Sequence, residues 1–216
     1  MNKYAKKIKD NLENSIKEIT INPKTYALNP EKDFTRTRKL PLDEMIRIIL
    51  TIGGNSLNLE IMKYFSYDLN APTTSAFVQQ RGKILLGAFK EIFENFTNSS
   101  LVPKTHKGYR LLAVDGSSFC ISHNPNDKKT YISKRENSKG SNHLHLNAVY
   151  DLCNRVYVDA IIQNGREIDE RQALIDVIQN KKDKNVKSIY IADRGYESYN
   201  LFEHMNQNGQ KYVIRV

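Results

Sequence analysis

Two aspartates stand where hydrophobic strands are expected to end. Asp115 follows LLAV directly, and Asp193 follows IYIA directly. Carboxylates at the C-terminal ends of strands sit on the rim of an open sheet, where sites in such sheets form. If these two strands are neighbours, the side chains converge although their positions are far apart in the chain. Paired carboxylates suit a hard cation, Mg²⁺ or Mn²⁺, which takes oxygen ligands and keeps waters for a phosphate. Two such ions roughly 4 Å apart activate an attacking oxygen and stabilise the leaving one in phosphodiester chemistry. Each aspartate also has a purely structural reading. Asp115-Gly116 is a hairpin turn pair, and Asp193-Arg194-Gly195 serves equally as a turn and cap between strand and helix. Spacing alone leaves both open.

Basic residues surround the same segments. Lys128, Lys129, Lys134, Arg135 and Lys139 lie in the polar stretch 124–142 beside the first aspartate, and Arg194 adjoins the second. Arg36, Arg38 and Lys39 cluster early, after Lys3, Lys6, Lys7 and Lys9 at the amino terminus. A charge run by itself is a solvated face; beside a metal-binding phosphodiester site it reads as phosphate contacts. Arg194 would grip a phosphate or pair with Glu197. His143 and His145 alternate onto one strand face, a spacing that can ligate zinc. No Cys or third His stands at a usual interval, so the pair reads as a partly buried strand face. Cys120 and Cys153 read as small apolar residues, with no disulfide framework.

The whole chain has 216 residues, 39% hydrophobic and 26% charged, which excludes a disordered tail or a fibrous repeat. No apolar run approaches the roughly 18 residues that a membrane span needs. The first twenty residues lack a signal-peptide core, so a soluble intracellular protein is expected. Lys and Arg number 33 against 24 Asp and Glu, for a net charge of +9. That bias fits a polyanionic partner, nucleic acid first. Residues 1–108 carry 17 basic and 11 acidic residues, residues 109–216 carry 16 and 13, so the front half is the more basic.

That front half reads as helical. Asp43 is expected to cap a helix over Glu44–Thr51 stopped by Gly53-Gly54, and Ser56 a second reaching about Phe65. A third begins near Thr74 or Ser75, with Phe77, Ile84, Leu85, Ala88, Phe89, Ile92, Phe93 and Phe96 down one face. Three such helices make either a helix-turn-helix or an ordinary small bundle. Residues 97–107 have linker composition. Beyond them Tyr109–Val114, His143–Tyr150 and Val156–Gln163 read as strands. A helix follows through Ile168, Leu174, Ile175 and Ile178, with Glu167, Asp169 and Glu170 in its acidic first turn. Ser188–Ala192 is a strand, Tyr199–Asn208 a helix closing at Gly209, and Tyr212–Val216 a last strand. The fold class is therefore α/β. An N-terminal helical domain, 1–100, precedes an incomplete ribonuclease H-like domain, 109–216, with a mixed β-sheet. The chain stops inside its last strand, which reads as a truncation.

Four stretches carry a family likeness. FTRTRKLPLDEMIRIIL (Phe34–Leu50), SAFVQQRGKI (Ser75–Ile84), LLAVDGSSFCI (Leu111–Ile121) and IADRGYESYNLFEHM (Ile191–Met205) occur in that order. They resemble an N-terminal segment, its following helix and the blocks around two catalytic aspartates in the DDE-type transposases of bacterial insertion sequences. The insertion-sequence-four family is the nearest in pattern; its Asp-x-Gly-Tyr is met here by Asp193, Gly195 and Tyr196. The resemblance implies that Asp115 and Asp193 are catalytic ligands of Mg²⁺ or Mn²⁺. It implies a transposase that binds terminal inverted repeats, frees a 3′-hydroxyl by water attack and joins it to target DNA. It also implies a homodimer on paired double-stranded ends, in the cytoplasm of a bacterium at the nucleoid, with no membrane. Tyr196 would pack below the site. The family's third catalytic residue, a glutamate in a downstream Tyr-Arg-Glu-Lys signature, has no match in this chain, which implies a fragment. Glu170 is the one in-chain candidate to replace it, beside its plain reading as a first-turn acid. Two alternatives remain: a ribonuclease H-like nuclease without strand joining, and a non-catalytic DNA-binding regulatory fragment.

Overall fold

The computed structural model describes residues 3–36, 38–98, 104–133, 139–180 and 187–215. The chain divides into two compact units, Met1–Ser100 and Leu101–Val216. The first is helical: α1 (Lys3–Ile21), α2 (Leu42–Thr51), α3 (Leu57–Tyr64), α4 (Thr74–Arg81) and α5 (Gly87–Asn98). Its core is built from Ile16 and Ile19 of α1, Met45, Ile46 and Ile48 of α2, Ile61, Phe77, Ala88 and Ile92. Ser56 and Thr73 cap α3 and α4 through their hydroxyl oxygens, which accept from Leu59 N and Ala76 N.

One helix is added to the expected ones and two expectations fail, each for a physical reason. α1 forms although its sequence is rich in charge, because a narrow stripe ending in Ile16 and Ile19 is buried against its neighbours. α2 starts at Leu42 behind Pro41, whose fixed φ ends the extended segment; Asp43 and Glu44 lie in the first turn and no side chain caps it. The long third helix is broken between α4 and α5. Leu28 N donates to Lys83 O at 2.8 Å and Leu85 N to Tyr26 O at 2.8 Å, so this stretch pairs as a bridge with Ala27.

The second unit holds one sheet of six strands: β1 (Arg110–Ile121), β2 (Tyr131–Ile132), β3 (Ser141–Asp151), β4 (Val156–Asn164), β5 (Ser188–Ala192) and β6 (Lys211–Ile214). β3 pairs antiparallel with β1, β2 and β4, while β1, β5 and β6 run parallel in that order. Two helices, α6 (Glu170–Gln179) and α7 (Tyr199–Gln207), make the crossovers to β5 and β6. This is a mixed sheet in the ribonuclease H-like arrangement expected from the order of elements. Leu112, Val114, Val149, Tyr190 and Ala192 from the sheet pack against Leu174, Ile175, Ile178, Leu201 and Met205. β2 is an addition to the expected strands. Gly209 at φ +61 ends α7 in the left-handed region. Val216 lies outside the described residues.

A buried ion pair fastens the base of this sheet. Asp151, fully buried at the end of β3, accepts from Arg110 Nε at 2.7 Å, Asn154 Nδ2 at 2.9 Å, and Cys153 N and Asn154 N at 3.0 Å each. Removing one partner of such a pair strands the other charge. Asp151→Ala is therefore expected to lower the stability of the second unit by about 3–5 kcal/mol, measured by urea unfolding.

Candidate active site

β1 and β5 run parallel in the register Arg110↔Ser188 to Ala113↔Ile191. Continued two residues beyond its last pair, that register brings Asp115 level with Asp193, the residue that follows β5. β5 ends at Ala192 because Asp193 turns its Oδ1 back to accept from Gly195 N at 2.8 Å, starting the 3₁₀ turn Arg194–Tyr196. Asp115 differs from expectation. β1 does not stop there but continues to Ile121 beside β3, so Asp115-Gly116 is not a hairpin turn. Asp115 stands where pairing with β5 gives out and pairing with β3 continues. Its Oδ1 accepts from Gly116 N at 2.9 Å. Both aspartates are exposed, and among the described residues neither Oδ2 has a hydrogen-bond partner.

A third carboxylate approaches the same place. Glu170 opens α6 behind Asp169, whose side chain caps the helix by accepting from Gln172 N at 2.9 Å. Glu170 Oε1 lies 2.8 Å from Nε2 of His145 on β3, and His145 Nδ1 lies 2.9 Å from Ser118 Oγ. An ionised carboxylate only accepts, so Nε2 donates to it, while Nδ1 faces the Ser118 hydroxyl. His145 is 5% exposed and opposite Ser118 in the β1–β3 register. Gly116 makes the room: a Cβ there would overlap the Glu170 carboxylate and the His145 ring. Arg171 Nε donates to Gly195 O at 2.9 Å, tying the first turn of α6 to the turn that carries Asp193.

Tyr196 lies beneath these groups, 1% exposed, with a buried hydroxyl that has no hydrogen-bond partner. Burial, followed by the charges of Glu170, Asp115 and Asp193, raises the pKa of its phenol well above the ordinary value. The phenol therefore stays neutral and keeps its O–H. Among the described residues, no three His, Cys, Asp or Glu side chains are already gathered closely enough to hold a metal ion. The donor set nonetheless suits a hard cation: free carboxylate oxygens on adjacent strands and an unsatisfied hydroxyl beside them.

The basic residues divide. Arg36 and Arg38 line one cleft of the first unit with Lys32, Phe34 and Lys83, whereas Lys39 donates to Asn70 O. Lys128 and Lys129 are exposed in the turn before β2, where Asp127 accepts from Thr130 Oγ1 and Lys129 N. Arg194 is exposed one residue past Asp193. Lys134 and Arg135 lie outside the described residues. Sequence reading missed Ser118, although it stands in the LLAVDGSSFCI stretch, and Arg171, because both act through contacts made between elements distant in the chain. Cys120 is exposed against His143 instead of being buried as a small apolar residue.

The chain matches the family model described as Transposase DDE domain over residues 106–216, and it belongs to that family. No curated protein matches it at a significant level. Among solved structures it is similar to the Drosophila P element transposase strand transfer complex, at 10% identity and a TM-score of 0.45, over 95% of this chain and 47% of that one. It is also similar to the Mos1 transposase paired-end complex with left transposon end, at 10% identity and a TM-score of 0.32, over 83% of this chain and 60% of that one. The Mos1 mariner paired end complex with Mn gives the same figures. The chain thus spans about half the length of the first of these proteins.

The gap at Gly116 yields a direct test. Gly116→Ala is expected to cost about 1–3 kcal/mol by crowding Glu170 and His145. The same substitution in a Glu170→Ala background is expected to cost clearly less, a coupling read from urea unfolding of the four proteins in the cycle.

Proposed function

We propose that this chain is part of a DNA transposase that binds the terminal inverted repeats of its element and cuts and joins strands at a divalent-cation site on Asp115 and Asp193. The observation that supports the reading is the parallel β1–β5 register, which runs to Ala113↔Ile191, two residues short of Asp115 on β1 and of Asp193 just past β5. A bound Mg²⁺ or Mn²⁺ would polarise the scissile phosphate and acidify a water. Asp115 and Asp193 would hold it through the oxygens not spent on Gly116 N and Gly195 N. Water attack on the phosphodiester frees a 3′-hydroxyl and leaves a 5′-phosphate; attack by that hydroxyl on target DNA displaces a second 3′-oxygen and joins the strands.

The rest of the chain would position the DNA. Arg194, beside Asp193, would contact the phosphate nearest the cut. Lys128, Lys129, Lys134 and Arg135 would follow the backbone further out. The helical unit, 1–100, would bind the duplex ends through phosphates, with Arg36, Arg38 and Lys39 as its contacts. The protein would act as a homodimer on paired ends, in the bacterial cytoplasm at the nucleoid.

Two measurements test this. Asp115→Asn and Asp193→Asn are each expected to weaken Mn²⁺ binding by roughly tenfold or more, read from free Mn²⁺ by electron paramagnetic resonance. Wild-type affinity in both variants would remove the cation site. Binding to duplex carrying the element's ends should weaken steeply between low and moderate salt. Arg36→Ala and Arg38→Ala should each reduce the slope of log affinity against log salt by about one. A slope unchanged in both variants would move the DNA contact elsewhere on the chain.

A further inference from the structure

We propose that Ser118, His145 and Glu170 form a second reactive site, independent of any cation, in which Ser118 is a nucleophile toward uncharged carboxylic esters. The three side chains make a continuous relay. Ser118 Oγ lies 2.9 Å from His145 Nδ1, and His145 Nε2 lies 2.8 Å from Glu170 Oε1. A carboxylate at one nitrogen of a neutral ring draws the ring's hydrogen there and leaves the other nitrogen as a lone pair facing the hydroxyl. Such a base takes the proton of a serine hydroxyl as its oxygen attacks, and the carboxylate stabilises the imidazolium that forms. The two ring nitrogens are used in the reverse of their usual order, but the roles are the same, and roles define such a triad.

The relay is buried in the middle and open at its reactive end: His145 is buried, whereas Ser118 is exposed. Gly116 gives up its side chain where Glu170 and the ring meet, and Arg171 fastens the first turn of α6 to Gly195 O. The backbone adds a donor beside the nucleophile. Leu152 N donates to Leu111 O, so in this antiparallel ladder the odd-numbered residues of β1 turn their peptide groups to β3. The register runs unbroken to Ile121, so Gly116, Ser118 and Cys120 turn theirs to the other side, where β5 pairs only as far as Ala113. Gly116 N agrees, since it donates to the Asp115 carboxylate. Ser118 N–H is thereby left beside its own Oγ, near where the oxyanion of an attacked ester develops. In the reaction Ser118 Oγ bonds to the carbonyl carbon and its proton passes to His145. The bond to the alcohol oxygen then breaks, and the alcohol leaves with that proton. Water attacks the acyl-serine in turn, giving a proton to His145; the acid leaves and Ser118 takes the proton back. The negative charge of Glu170 disfavours an anionic substrate, which makes the class an uncharged ester.

The test uses the 216-residue chain in excess EDTA, so that no divalent cation takes part, with p-nitrophenyl acetate as the probe. Release of p-nitrophenolate gives the rate, and mass spectrometry after an acid quench locates the acetyl group. Acetyl is expected on Ser118 and not on Ser117, its exposed neighbour on the other face of the strand. Ser118→Ala should abolish that acetylation, and His145→Gln should slow it by about 100-fold or more. Glu170 acts through the ring as a positioning residue. Glu170→Gln, which keeps an acceptor for Nε2, should slow acetylation with the melting temperature unchanged, and Glu170→Asp, which restores the charge, should recover part of the rate. Ser118→Ala and the two Glu170 variants carry the test if His145→Gln does not fold. No acetyl on Ser118, or as much on Ser117, would overturn the site. Wild-type acetylation of Ser118 in Glu170→Gln would overturn the role of Glu170, and wild-type acetylation in a folded His145→Gln would overturn the relay.

Discussion

Asp151 is taken entirely out of water at the end of β3, and a carboxylate there is tolerable only with its donors in place. Those donors come from two directions. Arg110 is the first residue of β1 and lies opposite Ser188 of β5, while Cys153 and Asn154 belong to the turn into β4. One buried charge therefore fixes where β1 starts against both of its neighbours. In a sheet the side-chain period is two, so a slip of a single residue would turn every side chain of β1 to the other face. Ser118 would no longer meet His145, Gly116 would no longer make way for Glu170, and Asp115 would face the helices in place of Val114. The charge is distant from the aspartates along the strand, yet it determines which atoms meet around them.

How much of this could be read from residues in order depends on the range of the forces involved. Asp193 was legible because its turn is local: the hydrophobic run IYIA ends, and the aspartate bonds to a backbone nitrogen two residues on. β1 was not legible beyond Asp115. GSSFCI opens on a glycine and two serines and is exposed for most of its length, and it is a strand only because β3 accompanies it. The gap between α4 and α5 was hidden by continuous helical spacing, since what breaks it is a bridge to Ala27, far back in the chain. Glu170 and His145 were each visible as residue types with a plain structural explanation. Their pairing was not, because it exists only after three strands and a helix have assembled.

The helical unit shows the opposite balance. Ser56 announced its cap, and the apolar residues that build the core of α2 to α5 follow helical spacing. α1 escaped notice because its buried contribution is small compared with its charge, and its helicity comes from packing more than from propensity. Tertiary contact decided both what was gained and what was lost.

β1 is longer than the parallel strand beside it. From Gly116 to Ile121 it is joined to β3 alone, and among the described residues no strand pairs with its other side. Alternate peptide groups along that side have no strand partner among the described residues. A single strand thus passes from a slowly exchanging interior at Leu111–Ala113 to an open margin at Ser117–Ile121, where every second amide exchanges with solvent as readily as in a loop. Asp115 stands at that crossing, rigid on the side of the core and hydrated on the other, so a long charged polymer could approach it from the wet side without unpairing any of the sheet.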